Sequence, residues 1–121
     1  MTPLRSAIPV LRSGDYPRAK AFWTGLGFEV IEEGGDPARF GIFRRERAEI
    51  FVDAWHGADP PREAGWRVYF HVDDCDATAA ALEAAGIAIL RGPETASYGM
   101  REVEIVDPDG NMLCFGQSVD D

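Results

Sequence analysis

The chain is poor in the side chains that most often carry chemistry. It holds two histidines, His56 and His71, and two cysteines, Cys75 and Cys114, among 121 residues. The cysteines lie far apart with no paired spacing, so neither a disulfide framework nor a zinc knuckle is suggested and free thiols are expected. Basic residues are also scarce. Twelve Lys and Arg against twenty-one Asp and Glu give a net charge of −9, which disfavours nucleic acid and anionic lipid as partners and favours a cationic small molecule. No apolar run is long enough to cross a bilayer, and no apolar stretch follows Arg5 before Arg12 and Asp15 interrupt, so no signal peptide is read and a cytoplasmic location is expected. Glycine-rich phosphate loops are missing too, because Gly25 and Gly27 follow a predicted helix instead of opening one.

What remains is an ordered series of short elements. Ala7–Leu11 reads as a first strand, with Pro9 marking an edge or bulge. A helix follows, with Asp15 able to accept from its first backbone donors, Pro17 in its first turn, and Ala19, Phe22, Trp23 and Leu26 on one face. Three strands are predicted next, at Phe28–Glu32, Phe40–Arg44 and Ala48–Ala54. His56 to Gly65, with Pro60-Pro61 inside, resembles a linker. Beyond it the order recurs: a strand at Trp66–Val72, a helix opened by Asp73-Asp74 and ended by Gly86, and strands at Ile87–Leu90, Val103–Val106 and Met112–Phe115. Asp15 and Asp76 are read as beginning corresponding helices. Two copies of about sixty residues are a duplication and not a solenoid, since two units cannot stack into an array. The expected fold is α+β, two tandem βαβββ modules over roughly 4–55 and 65–117 within one domain covering 1–121.

Two stretches fix the order of these elements: Phe22-Trp23-Thr24-Gly25-Leu26-Gly27-Phe28, and Tyr98-Gly99-Met100-Arg101-Glu102 running into Asp107-Pro108-Asp109-Gly110-Asn111. Their order and spacing in a short acidic chain resemble the glyoxalase/bleomycin-resistance group of the vicinal oxygen chelate superfamily, and within it the small bleomycin-resistance proteins. The resemblance implies an incomplete barrel or cup with its helices outside, whose hollow takes a metal, a substrate or a drug. Open sheet edges and a bare concave face add the expectation of a homodimer.

Enzymes of the superfamily usually hold a divalent metal through His, Glu or Gln on the first and last strand of each half. The resemblance places those positions at Ile8, Phe51, Arg67 and Cys114, none of which is a ligand of that type. No metal and no cofactor are therefore expected. His71 with Glu49 and Glu104 is the alternative donor set, and would accompany a metal-dependent lyase or isomerase of the glyoxalase kind, or a ring-cleaving dioxygenase. Nucleophilic catalysis has little to draw on, because no histidine stands near Cys75 in sequence and Cys114 sits on an apolar strand.

Most of the thirteen aromatic residues are expected in the core. Phe22 and Trp23 belong to the helix, and Trp66, Val68 and Phe70 are read as facing the helix layer while Arg67, Tyr69 and His71 face the hollow. Phe40, Phe51, Trp55, Tyr69 and Tyr98 are the candidates for the hollow itself, with Asp53 and Glu104 among the acids around it. In the bleomycin-resistance proteins an aromatic ahead of the seventh-strand Gly and Arg-Glu stacks on the planar drug, and Tyr98 takes that place. The resemblance thus implies a non-catalytic protein that sequesters bleomycin-type glycopeptides or a similar planar cation by affinity alone. A carrier or sensor of an endogenous metabolite is a third reading, since fold does not fix function.

Overall fold

The computed structural model describes residues 1–59 and 65–119, so the Pro60-Pro61 part of the expected linker lies outside the described residues. The first module comprises β1 (Val10–Arg12), α1 (Tyr16–Gly25), β2 (Glu29–Gly34), β3 (Phe40–Arg45) and β4 (Ala48–Asp53). The second repeats it with β5 (Val68–His71), α2 (Cys75–Ala84), β6 (Arg91–Thr95), β7 (Met100–Val106) and β8 (Met112–Ser118). Each module forms a four-stranded sheet, in the orders β1-β4-β3-β2 and β5-β8-β7-β6. The first strand of each runs parallel to the last, and the other pairings are antiparallel. The tandem βαβββ architecture is as expected, and neither sheet closes on itself.

Both helices start on an aspartate. Asp15 caps α1 by accepting from the Arg18 N–H at 3.1 Å, and Asp74 caps α2 by accepting from Ala77 at 3.0 Å. Each cap satisfies a donor that a helix start leaves orphaned. Asp76, expected to open the second helix, instead lies within its first turn. There its carboxylate favours the helix dipole and pairs with Arg101 of β7 at 3.0 Å. Gly27 and Gly86 follow the helix ends with φ of 90° and 77°, a left-handed exit that costs a glycine little.

Strand alternation then sorts each sheet into two faces. Leu11, Phe43, Ile50 and Val52 of the first sheet, and Val103, Ile105, Leu113 and Phe115 of the second, are buried on the helix side. The same buried cluster crosses from one module to the other. Trp23 of α1 meets Phe28 edge-on at 5.0 Å and Phe70 of β5 at 6.4 Å, and Phe70 stacks on Phe115 at 5.1 Å. Polar ties close the seam: Asp109 accepts from Gly14 N at 2.9 Å and from Arg18 at 2.8 Å, and the Asn111 amide donates to the Arg12 carbonyl at 3.2 Å.

Strand six departs from expectation. Ile87–Leu90 is not a strand, because the Ile87 N–H is spent on the Leu82 carbonyl at the helix exit and Ile87 and Ile89 pack on the core as irregular chain. Pairing in register begins at Arg91 opposite Glu104, and the register shifts between Arg91 and Glu94. Gly92 makes that bulge with φ of 90°, where an added Cβ would collide with the Glu102 carbonyl. The first strand is also shorter than the predicted Ala7–Leu11, starting at Val10.

Candidate functional site

The faces turned away from the helices are where the sequence candidates fall. On the first sheet two cross-strand rows run Val10–Phe51–Ile42–Glu32 and Arg12–Asp53–Phe40–Gly34. On the second the equivalent rows are Tyr69–Cys114–Glu104–Arg91 and His71–Gly116–Glu102–Glu94. Opposed residues in such rows share one face of the sheet. The two faces carry different chemistry at matching positions.

The first face is an aromatic platform with one carboxylate. Phe40 stacks nearly parallel on Trp55, at 5.5 Å and 8°, and meets Phe51 edge-on at 5.3 Å. Trp55 is nonetheless 51% exposed, so one side of the stack is open. Asp53 beside it accepts from the Trp55 N–H at 2.9 Å and lies 2.6 Å from His56 Nδ1. Partial burial pushes its pKa upward, but the His56 and Trp55 hydrogen bonds outweigh that and hold the carboxyl below its ordinary value. Phe40, Phe51, Asp53 and Trp55, chosen from sequence, are thus brought together.

The second face is a polar network under aromatic rings. Glu102 is 0% exposed and accepts from the Tyr69 hydroxyl at 2.9 Å, the Tyr98 hydroxyl at 2.7 Å and Arg91 at 3.2 Å. Glu104 accepts from the Trp66 indole N–H at 2.7 Å and from Arg91 at 2.8 Å. The Arg91 bond is the main reason its carboxyl sits below the ordinary value, with Trp66 adding to it against the opposing effect of burial. Tyr69 lies across Gly116, where a side chain would run into the phenol ring. Burial, then the bond to Glu102, raises its hydroxyl pKa. Tyr98 is held through its hydroxyl while 59% exposed, so its ring is presented to solvent from a fixed anchor.

Tyr69, Tyr98 and Glu104 were candidates from sequence. Glu102, Arg91 and Trp66 were not. Glu102 and Glu104 share a face by strand period, which is the signal that could have found the first of these. Arg91 was hidden by the misplaced sixth strand. Trp66, predicted to face the helix layer with Val68 and Phe70, turns the other way: its ring packs on Tyr69 at 4.9 Å, because its N–H finds an acceptor in Glu104 that the apolar core does not offer. Among the described residues no aromatic contact or hydrogen bond joins the first cluster to the second.

The superfamily's metal positions do not fit a metal here. Ile8 and Phe51 offer only carbon, and Arg67 presents a guanidinium paired with Asp59 at 3.1 Å. Burial pushes the Cys114 thiol up to about 12, so it carries its proton at neutral pH. The alternative set of His71, Glu49 and Glu104 is not assembled. Glu49 pairs with Arg44 at 2.6 Å on the first sheet, Glu104 is engaged by Arg91 and Trp66 on the second, and no group of three candidate ligands occurs among the described residues.

Two duplicated four-stranded sheets, each with its helix on one side and an open face on the other, define a class of small paired-module proteins. The chain belongs to the Glyoxalase/Bleomycin resistance protein/Dioxygenase superfamily, whose family model matches residues 6–115. A bleomycin-binding protein solved in complex with bleomycin is similar at 25% identity and a TM-score of 0.79, over 95% of this chain and 99% of that one. A bleomycin resistance determinant encoded on the transposon Tn5 is similar at 25% identity and a TM-score of 0.76, over 95% and 98% of the two chains. Lactoylglutathione lyase from Agrobacterium tumefaciens shares the fold, at 24% identity and a TM-score of 0.74, with 96% of each chain covered. No curated protein sequence matches the chain.

Proposed function

We propose that the protein is a binding protein without catalytic activity, which captures a planar, cationic small molecule of the bleomycin type on the sheet faces turned away from its helices and confers resistance by stoichiometric sequestration in the cytoplasm. The observation that carries this is the pair of anchored, half-exposed rings. Trp55 is fixed by stacking on Phe40 and Tyr98 by its bond to buried Glu102, and each leaves a flat side free. Rigid rings of this kind bind a planar guest with little loss of rotamer freedom. The unsuited metal positions support the same conclusion, because affinity needs neither a Lewis acid nor an activated nucleophile.

In this reading the groove is built from both kinds of face across two copies of the chain, the Trp55 cluster and the Tyr98 cluster lying on separate sheets of one chain. Exposed Val10, Leu90 and Trp66 bordering those faces support a homodimer. Sedimentation equilibrium is expected to give twice the chain mass, and a monomer at micromolar concentration would limit each ligand to one face. Titration calorimetry with bleomycin tests the ligand. Saturable binding at micromolar or tighter concentration is expected, and absence of heat at tens of micromolar bleomycin would remove this ligand.

A further inference from the structure

Among the described residues, Arg91 is the one cation in contact with the buried carboxylates of the second face. Its Nη2 lies 2.8 Å from Glu104 and 3.2 Å from Glu102, and its Nη1 pairs with Glu94. The two partners on β7 are fixed: the Glu102 side chain is fully buried and that of Glu104 is 10% exposed. Arg91 is not fixed in the same way. Its side chain is 36% exposed, and it stands on β6, an edge strand that leaves its regular register directly after it. The guanidinium therefore sits, from the solvent side, on two acids to which Trp66, Tyr69 and Tyr98 also donate.

We infer that Arg91 is an internal stand-in for the cation of the ligand: it sets the charge selectivity of the second face, and a planar amidinium or guanidinium enters by taking its place on Glu102 and Glu104. This rests on the binding function proposed above. The exchange is chemically matched, because a planar charged N–H donor replaces the Nη2 group that Arg91 places between the same two acceptors. The displaced side chain keeps its exposed partner Glu94, so it need not give up every ion pair on leaving. The stand-in also accounts for how two carboxylates persist side by side on one sheet face before a ligand arrives, since a buried charge left without a partner is costly. A neutral aromatic brings the acids no charge and at most a single neutral N–H, so it leaves Arg91 seated and gains chiefly stacking.

The probes are 4′,6-diamidino-2-phenylindole, a planar bis-amidine, and neutral 2-phenylindole, each followed by fluorescence titration. Removing the competitor with Arg91→Met should tighten bis-amidine binding about tenfold and change 2-phenylindole binding by less than about twofold. Adding Glu104→Gln to that variant should cancel most of the gain. An unchanged or weakened bis-amidine affinity in folded Arg91→Met overturns the inference. The wild-type chain gives an independent reading should that variant not fold: in arginine-edited nitrogen-15 spectra, the Arg91 Nε–H signal should move to the position of a solvent-exposed arginine as the bis-amidine saturates, and a signal that stays put at saturation contradicts displacement. A chain that shows the Arg91 response but no heat with bleomycin keeps this inference and loses the bleomycin assignment. Bleomycin binding with a silent Arg91 does the reverse.

Discussion

The two modules place different residues at matching points of the same framework. Where the second row of the first face reads Arg12–Asp53–Phe40–Gly34, that of the second reads His71–Gly116–Glu102–Glu94. Phe40 and Glu102 are thus equivalent positions. One uses its place to stack on Trp55, and the other to gather two tyrosines and an arginine under cover. The shared helix-side core, in which Trp23 reaches both modules, holds the framework constant while the outer faces diverge. The lesson is physical. An aromatic platform can be left partly exposed because its energy lies in contact area, whereas carboxylates taken out of water must be fully partnered.

Substitution at the equivalent pair should break this symmetry most sharply. Glu102→Leu strands the Tyr69 hydroxyl and takes the acceptor from Tyr98, and urea unfolding should show a loss of about 2–4 kcal/mol. Phe40→Ala removes a partly exposed ring and should cost about 1 kcal/mol. Equal losses would mean that the second network contributes no more than the first platform. Next in size is Gly116→Ala, where the new methyl meets the Tyr69 ring. Overpacking of this kind should cost about 1–3 kcal/mol, while Asp53→Ala at the matching position should cost less than about 1 kcal/mol.

Binding should divide differently from stability. If the rings grip the guest, Tyr98→Ala and Trp55→Ala should each weaken bleomycin binding about tenfold or more and leave the thermal midpoint nearly unchanged. A shift in only one of them would assign the guest to one face.

The smallest effects are in titration. All three tyrosines, Tyr16, Tyr69 and Tyr98, donate to a glutamate and have raised pKa values, the first two chiefly through burial and Tyr98 chiefly through its bond to Glu102. A raised value stabilises the fold below the ordinary tyrosine range of about 10, and that contribution is lost as pH rises through the folded values. Tyrosinate absorbance of the folded protein should therefore stay flat near pH 10 and climb only above it. In Glu102→Gln, Tyr69 and Tyr98 should ionise earlier while Tyr16, paired with Glu33 in the other module, should not. Glu104 behaves oppositely: its lowered value stabilises the fold above the ordinary carboxylate range, and the contribution disappears as pH falls through the folded value.

Much of the framework was legible because it depends on local signals. The aspartate caps, the glycines after each helix and the alternating apolar strands announce the duplicated order, and the Asp107–Asn111 turn marks the last hairpin. Strand six was misplaced because Ile87 and Ile89 look like strand residues but serve the helix exit. The true strand, Arg91–Thr95, contains a glycine and a proline that argue against one. That error hid Arg91. The aromatic half of the site was readable from strand period, whereas the orientation of Trp66 depends on a long-range acceptor, Glu104, thirty-eight residues away.

The most direct measurement is a calorimetric titration of the metal-stripped chain with metal-free bleomycin in excess chelator, with the mass of the ligand checked afterwards. Saturable binding with an intact, unmodified ligand is the predicted result. Binding that appears only when a divalent metal is restored, or a ligand recovered with altered mass, would contradict capture by surface fit and charge.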